Sequence, residues 1–291
     1  MREGNHLFQI LAQAGWGPED DRKLRELSSF VASIPASGLR YEFREYSAEA
    51  KCHFPTLMSI YWTELLDRIH YASVLSLLRV NAWLSGAFSA IRDDNFHAFS
   101  ASLRGLIESI ADSCHALLWV PPHLSEKRTI ISRALGHLAD VQSHEEYLDE
   151  HLETEMIHFS HAGRHKGKAI LDSKKHKART SKDYLDILKN GPGAILIPIY
   201  EQLCEISHPA ADSTLPFVLV HEDHESLSAY EIRNDLSVAY LIGFSRRHQG
   251  FFRVLLSTGM DTPFSCLKEL ASFSNYHSPG GQFWIHDDKC A

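Results

Sequence analysis

Cysteines are few in this sequence, and they are not spaced like a disulfide framework or a zinc site. The chain has five cysteines in 291 residues, an odd number, and no Cys-x-x-Cys pair. They are Cys52, Cys114, Cys204, Cys266 and Cys290. Small secreted domains carry dense, paired cysteines, and structural zinc sites carry closely spaced ones. The pattern therefore predicts reduced thiols and a cytoplasmic protein.

The common signatures of nucleotide binding and of activated nucleophiles are also missing. The sequence contains no GxxxxGK[ST] loop, no GxGxxG after a predicted strand and no GxSxG elbow. These motifs mark the phosphate loops of nucleotide-binding folds and the exposed serine of α/β-hydrolases. The sequence therefore lacks the signatures of P-loop proteins, Rossmann dinucleotide-binding proteins and α/β-hydrolases.

Positive charge is in deficit over the whole chain. The 29 Lys+Arg residues stand against 37 Asp+Glu, so the formal net charge is -8. An acidic balance argues against global electrostatic binding of nucleic acid, but not against a local basic patch.

A membrane anchor is not expected. Glu3 lies where a signal peptide carries only positive charge. The longest apolar stretch, residues 69–91, contains His70, Arg79 and Asn81, which are costly in hydrocarbon. We expect this stretch to be a buried helix.

Helical periodicity dominates the chain and predicts an all-α, multi-helix bundle. A β-prone segment near residues 215–232 predicts a small hairpin. We expect an N-terminal helical appendage over 1–55, a main bundle over 56–274 and an irregular tail over 275–291. Individual helices are predicted at 19–34, 96–119 and 235–257. Pro121-Pro122 is predicted to end a helix, and Pro263 to begin the last one.

The 19 histidines suggest a metal site. Di-metal bundles use Glu-x-x-His pairs, because the i,i+3 spacing points both ligands at one metal. Two such pairs occur, and the predicted metal ligands are Glu155, His158, Glu205 and His208. On a helical wheel Glu155 lies on the apolar face, whereas Glu205 lies opposite it. The alternative is that these side chains are solvated or paired surface groups, and no cofactor at all is compatible with the sequence.

Charged residues on otherwise apolar helices predict a polar cluster inside the bundle. Burying a charge requires a partner, and few acids are predicted to face the core. The cluster would comprise Arg79, Asn81, Arg104, Glu108 and Glu155. It would be either a network that sets helix register or a site with chemistry. For the second case the candidate catalytic residues are Arg104, Glu108, Glu155, His158 and His208.

A segment of inverted charge follows these helices. Residues 164–182 carry many cations and a single acid, Asp172. Such a segment can grip phosphates, although it can equally be a solvated loop. The predicted nucleic-acid contacts are Arg164, Lys166, Lys168, Lys174, Lys175, Lys177 and Arg179.

Three segments resemble an uncharacterised group of bacterial all-helical proteins, distantly HEPN-like. They begin at Leu103-Arg104, at Glu155-Met-Ile-His158 and at Tyr200-Glu-Gln-Leu-Cys, and the resemblance covers residues 56–215. It implies a helical bundle and a place in bacterial phage defence or stress response. HEPN-type ribonucleases pair Arg with a His five to seven residues later, and Arg92 and His97 have this spacing.

Three functions follow as hypotheses. The first is a HEPN-like protein that contacts RNA or a nucleotide through the basic segment. The second is an enzyme that uses divalent metal ions, and the third is a non-catalytic structural or interaction protein. We expect the protein to form a homodimer, and we do not expect it to associate with a membrane.

Overall fold

The computed structural model describes residues 5–43, 53–161, 178–208, 211–222, 228–233 and 235–279. The described residues are 77% helical and form eleven α-helices with one small two-stranded sheet. The predicted fold class, all-α with a small hairpin, is confirmed.

The described residues contain eleven α-helices, five short 3-10 helices and two strands. The α-helices are α1 (Asn5–Gln13), α2 (Pro18–Ser33), α3 (Phe54–Arg92), α4 (Phe96–Leu117), α5 (Val120–Glu126), α6 (Arg128–Leu135), α7 (Glu150–His161), α8 (Ser181–Leu185), α9 (Leu196–Ser207), α10 (Ser237–Arg247) and α11 (Phe251–Ala271). Strands β1 (Val218–Glu222) and β2 (Ser228–Ile232) pair antiparallel, with Val220 opposite Tyr230.

Side-chain caps explain where two of these helices begin. Asn95 accepts a hydrogen bond from the Ala98 N–H at 2.9 Å and so caps α4. At α8, Thr180 N–H donates to the Asp183 carboxylate while Asp183 N–H donates to the Thr180 hydroxyl. This reciprocal pair is a capping box, which satisfies two backbone donors at once.

Prolines and a glycine divide the later helices differently from the predictions. Pro121 and Pro122 stand in the first turn of α5, where a missing N–H costs nothing, so they begin a helix rather than only ending one. The helix predicted at 235–257 is two helices, because Gly250 adopts φ +81° between them. Pro263 lies inside α11, not at the start of a helix.

The chain divides into two compact units, each made of three segments. The first unit consists of Met1–Leu27, Arg79–Ala111 and Leu185–Thr258. The second consists of Ser28–Leu78, Asp112–Tyr184 and Gly259–Ala291. This division differs from the appendage, bundle and tail expected from the sequence, because α2, α3, α4 and α11 each contribute one end to each unit.

Each unit has its own apolar core. In the first unit, the Trp16 ring meets Phe88 and Phe252 edge-on at centroid distances of 5.7 and 5.4 Å. In the second, Trp62 is fully buried and its indole N–H donates to the Tyr147 carbonyl oxygen at 2.9 Å. That bond satisfies the polar atom that a buried Trp brings with it.

Helix α3 is, among the described helices, the one long and apolar enough to cross a membrane. Its best 18-residue window has a mean hydropathy of 1.4, and 44% of that window is buried. Length and composition alone are a weak indication of a membrane span, since a core helix passes the same test. The helix continues without interruption past His70 to Arg92.

A buried carboxyl on α3 makes the stability of the second unit sensitive to pH. The Tyr276 hydroxyl donates to Asp67 at 2.8 Å. Burial raises the pKa of the Asp67 carboxyl, the Tyr276 bond lowers it and nearby Glu64 raises it, and together they bring that pKa to about 6. Because the folded pKa lies above the usual value, ionising Asp67 costs stability as the pH rises through about 4 to 6.

Asp67→Asn is therefore expected to stabilise the protein at pH 7.5 by about 1 kcal/mol, allowing for partial solvent screening. The amide keeps an oxygen that can accept the Tyr276 bond but carries no charge. Urea unfolding at pH 7.5 and at pH 4 measures the effect, which should vanish at the lower pH. An equal effect at both pH values would contradict this assignment.

Candidate functional site

The predicted site residues fall into two polar clusters, one in each unit. The Arg104 cluster, in the first unit, consists of Arg104, Glu108, Tyr200 and His208. The Glu155 cluster, in the second unit, consists of His115, Glu155, His158, Arg179 and Tyr184. The sequence predicted that Glu155 would lie in one cluster with Arg104 and Glu108. In the structure it lies in the other cluster.

Two helices build the Arg104 cluster. Arg104 and Glu108 are one turn apart on α4, and Arg104 Nε lies 3.3 Å from Glu108 Oε1. Tyr200, on α9, donates its hydroxyl proton to the same carboxylate oxygen at 2.7 Å. The Arg104 and Glu108 side chains are 26% and 34% exposed, so a ligand in solvent can reach them.

His208 completes this cluster from the C-terminal end of α9. Its backbone N–H bonds to the Cys204 carbonyl, and its backbone then turns extended, with ψ 153°. The residue before a proline avoids the helical region, and residue 209 is Pro. The helix therefore ends at this point and leaves the exposed His208 imidazole 3.2 Å from Arg104 Nη1.

The Arg104 contact determines which ring nitrogen of His208 carries the proton. A guanidinium has only donors, so it must donate and His208 Nε2 must accept. The imidazole in this contact is then neutral, with its proton on Nδ1. Nε2 has a single lone pair, so it can take a proton from a bound group only once the guanidinium has turned away from it to that group.

The Tyr200 hydroxyl stays protonated at neutral pH. Burial raises the pKa of this phenol, and hydrogen bonding to Glu108 and Cys204 raises it further, to about 12. Tyr200 therefore serves as a donor that orients Glu108, while Glu108 in turn holds Arg104. The cluster combines a fixed cation, a neutral imidazole and an oriented carboxylate on a surface open to solvent.

The Glu155 cluster is a more enclosed arrangement. Arg179 donates to both oxygens of Glu155, at 2.9 Å from Nη1 and 2.6 Å from Nη2. The His115 Nδ1 atom lies 2.9 Å from Arg179 Nη1 and 3.5 Å from Glu155 Oε2. The Glu155 side chain is only 9% exposed, in agreement with the inward position predicted on the helical wheel.

The Glu155 carboxyl is ionised at neutral pH. Burial by itself raises the pKa of the Glu155 carboxyl, but the His115 imidazole and the Arg179 guanidinium outweigh it and hold that pKa at about 2. Bidentate Arg–carboxylate pairs are among the strongest charge-assisted hydrogen bonds. The arrangement indicates an ion pair that ties residue 179 to α7.

His158 was predicted to bind a metal ion, but its side chain contacts a tyrosine instead. It is buried, and its Nε2 atom lies 3.1 Å from the Tyr184 hydroxyl. Of the five predicted catalytic residues, Arg104, Glu108 and His208 come together. Glu155 and His158 belong to the other cluster.

The described residues contain no group of three or more His, Cys, Asp or Glu side chains that could hold a metal ion. Glu155 is bound by Arg179, and His208 contacts Arg104. Glu205 is exposed, as its position on the wheel predicted, and lines a cavity in the first unit. Among these residues, the four proposed metal ligands are thus not assembled into one metal site.

Most of the basic segment lies outside the described residues. This holds for Arg164, Lys166, Lys168, Lys174, Lys175 and Lys177. Arg179 is described, and its guanidinium is engaged with Glu155 and His115 rather than left for nucleic acid. Of the cysteines, Cys114, Cys204 and Cys266 are reduced thiols outside any disulfide, and the other two lie outside the described residues.

Sequence reasoning missed Tyr200, His115 and Tyr184 as members of the clusters. For Tyr200 a signal existed, because Tyr200, Cys204 and His208 stand four residues apart and so share one face of a helix. His97, which has the HEPN-type spacing after Arg92, instead bonds the Ser213 carbonyl oxygen at 2.6 Å and stacks on Phe217. Among the described residues, Arg–His contacts form instead between Arg104 and His208 and between Arg179 and His115.

No protein-family model matches this sequence, and no curated protein and no solved structure matches it either. No known relative or fold thus assigns a role to any residue of the two clusters.

Proposed function

We propose that this protein is a HEPN-like ribonuclease of a bacterial defence or stress system, acting in the cytoplasm on RNA phosphodiester bonds at the Arg104 cluster. The observation that carries the proposal is the 3.2 Å contact between Arg104 Nη1 and the accepting Nε2 of His208, on an accessible surface. The contact places an anion-binding group and a proton acceptor side by side.

These two groups meet the needs of RNA cleavage through the ribose 2′-hydroxyl. The reaction needs a base for the 2′ proton and positive charge for the phosphate oxygens in the transition state. His208 supplies the base, and Arg104 donates further N–H groups to the phosphate. Glu108, oriented by Tyr200, holds the Arg104 side chain in place. This positioning matters because a mispositioned donor loses most of its effect on the reaction.

The bond changes are those of a transesterification. When RNA binds, Arg104 Nη1 donates to the phosphate instead of to His208, and this frees the single lone pair of Nε2. Nε2 then takes the proton of the 2′-hydroxyl, and the 2′ oxygen forms a bond to phosphorus. The bond from phosphorus to the 5′ oxygen breaks, and that oxygen leaves with the electron pair and takes a proton from water. The protonated His208 gives its proton to the hydroxide that this leaves, so the ring returns to its starting form. The products are a 2′,3′-cyclic phosphate and a 5′-hydroxyl end, and no oxidant, reductant or metal takes part.

The basic segment supports the same substrate class by its sequence. Residues 164–177 contribute six Lys or Arg and one acid to an otherwise acidic chain. Cations that neutralise phosphates release counterions. The logarithm of the RNA affinity should therefore fall linearly with the logarithm of the salt concentration, with a slope of about −0.7 per phosphate neutralised on a single strand.

The test is incubation of the purified protein with end-labelled single-stranded RNA and with DNA of the same sequence, in EDTA, over a series of salt concentrations. We expect RNA to bind with a steep salt dependence and to be cut to 2′,3′-cyclic phosphate ends. DNA, which lacks the 2′-hydroxyl, should stay intact. Absence of RNA binding at low salt, or equal cleavage of DNA, would overturn the proposal.

A further inference from the structure

A cavity of about 440 Å³ lies in the first unit, apart from the residues assigned to cleavage. Its apolar wall includes Phe96 from α4 and Tyr240 and Phe244 from α10. The Phe96 and Tyr240 rings pack at a centroid distance of 5.7 Å, and Phe96 and Phe244 at 6.1 Å. The volume is within the usual range for small-molecule sites, and an aromatic wall suits a planar ring.

Charged groups of both signs line the same cavity. Glu205 on α9 and Asp212 supply carboxylates, which only accept hydrogen bonds, and Arg247 on α10 supplies a guanidinium, which only donates them. Within the part of the chain that the structure describes, none of these three side chains forms an ion pair with another residue. Their hydrogen-bonding capacity is therefore available to a ligand.

Gln202 gives the cavity a further fixed polar group. His248 Nε2 lies 2.8 Å from Gln202 Oε1, which makes the ring nitrogen the donor when the amide oxygen accepts. Burial, with a contribution from nearby Arg247, lowers the pKa of His248, so this ring is neutral at pH 7. The amide NH₂ group of Gln202 remains able to donate.

We propose that this cavity binds a guanine base, with Glu205 accepting from its Watson–Crick edge and Arg247 donating to its acceptor edge. Guanine presents two neighbouring donors, N1–H and the N2 amino group, which match the two oxygens of one carboxylate. Its O6 and N7 atoms are the acceptors that Arg recognises most often. Tyr240, the half-buried ring of this wall, would cover the face of the base.

The other bases fit this lining less well. Adenine, cytosine and uracil each place a single donor beside an acceptor on the pairing edge, so a carboxylate there meets one donor and one repelling lone pair. A site built for a hydrogen-bonded group rejects analogues that leave its polar groups unpaired.

The inference rests on the proposed function in one respect, namely that the ligand is a nucleotide.

Binding of 5′-mononucleotides, measured by calorimetry, tests the proposal without any cleavage step. We expect GMP to bind at least roughly ten-fold more tightly than AMP, CMP or UMP, the discrimination typical of one good two-bond contact. Glu205→Gln should lose a similar factor for GMP. Glu201→Gln, a matched change at an exposed position on the same helix, should bind GMP like the unmodified protein.

A second arm identifies the source of the base. Two 2′-O-methyl pentanucleotides, which cannot be cleaved through the 2′ oxygen, carry either guanine or adenine at the centre. Tighter binding of the guanine oligonucleotide than of GMP assigns the cavity to RNA, and the reverse assigns it to a free nucleotide, both in agreement with the proposal.

Equal affinity for the four mononucleotides, or undiminished GMP binding by Glu205→Gln, would overturn the guanine assignment. RNA cleavage that persists in Glu205→Gln would leave the Arg104 cluster as the cleavage site. Loss of cleavage in Arg104→Ala with unchanged GMP binding would separate the two sites.

Discussion

Replacing His208 by alanine is expected to lower the rate of RNA cleavage by about 10²- to 10⁴-fold, the usual contribution of a positioned general base. The variant loses the Nε2 atom, which lies 3.2 Å from Arg104 and which we propose as the acceptor of the 2′ proton. RNA affinity should change by no more than about two-fold, because a neutral imidazole contributes little to phosphate binding. The measurement is single-turnover cleavage at saturating protein.

Arg104→Ala should lower both cleavage and RNA affinity, since the proposal has the guanidinium contact the phosphate before and during the reaction. Arg104→Lys keeps the charge but not the planar set of donors, and should recover binding more than cleavage. These two substitutions separate a role in the reaction from a role in charge alone.

Matched substitutions at exposed positions of the first unit provide the controls. His221→Ala removes an imidazole paired with Glu231 at 3.0 Å, and Arg246→Ala removes a guanidinium that bonds Gln13. Both should cleave RNA at the unmodified rate. If His208→Ala cleaves normally while its melting temperature is unchanged, the Arg104 cluster is not the site of cleavage.

Arg179→Ala is expected to lower the free energy of unfolding by about 3 kcal/mol, near the lower end for breaking a buried ion pair. Glu155 is 9% exposed and would keep a carboxylate with His115 as its remaining partner among those described. The lower end applies because the Arg179 side chain is itself 27% exposed. Urea unfolding at pH 7 measures the loss.

The loss should depend on pH in a direction that follows from the pKa of Glu155. This pKa is held at about 2, below the usual value of 4.5, so the pair stabilises the fold fully above pH 4.5. The stabilisation disappears as the pH falls towards 2, because the carboxyl becomes protonated. Unmodified protein and Arg179→Ala should therefore converge in stability over this range.

Lys182→Ala, an exposed change three residues further along the chain, is the control and should leave stability within about 0.5 kcal/mol. A loss for Arg179→Ala that is the same at pH 3 and pH 7 would show that its packing, and not its charge pair with Glu155, stabilises the fold.

The helical character could be predicted because its signals are local. Apolar periodicity, the Asn95 cap and the Thr180–Asp183 spacing all act within a few residues. Helix α4 was predicted to begin at Phe96, where it does begin. The later helix ends were harder, since Pro121-Pro122 and Pro263 are compatible with more than one position relative to a helix.

Half of the Arg104 cluster could be read from the chain. The i,i+4 spacing of Arg104 and Glu108 predicts their contact, and the turn-by-turn spacing of Tyr200 and His208 places them on one face. The two contacts between α9 and α4 are long-range. Tyr200 is 92 positions from Glu108 in the sequence, and His208 is 104 positions from Arg104, so no local pattern encodes either contact.

The sequence by itself therefore determined the fold class, the inward position of Glu155, the outward position of Glu205 and the small hairpin near residues 215–232. These depend on hydrophobic periodicity and on short-range backbone chemistry. The tertiary structure alone decided that Arg104 meets His208, that Arg179 is bound by Glu155, and that the two sets of residues belong to different units. Such pairings depend on which helices pack together, and many packings are compatible with the same periodicity.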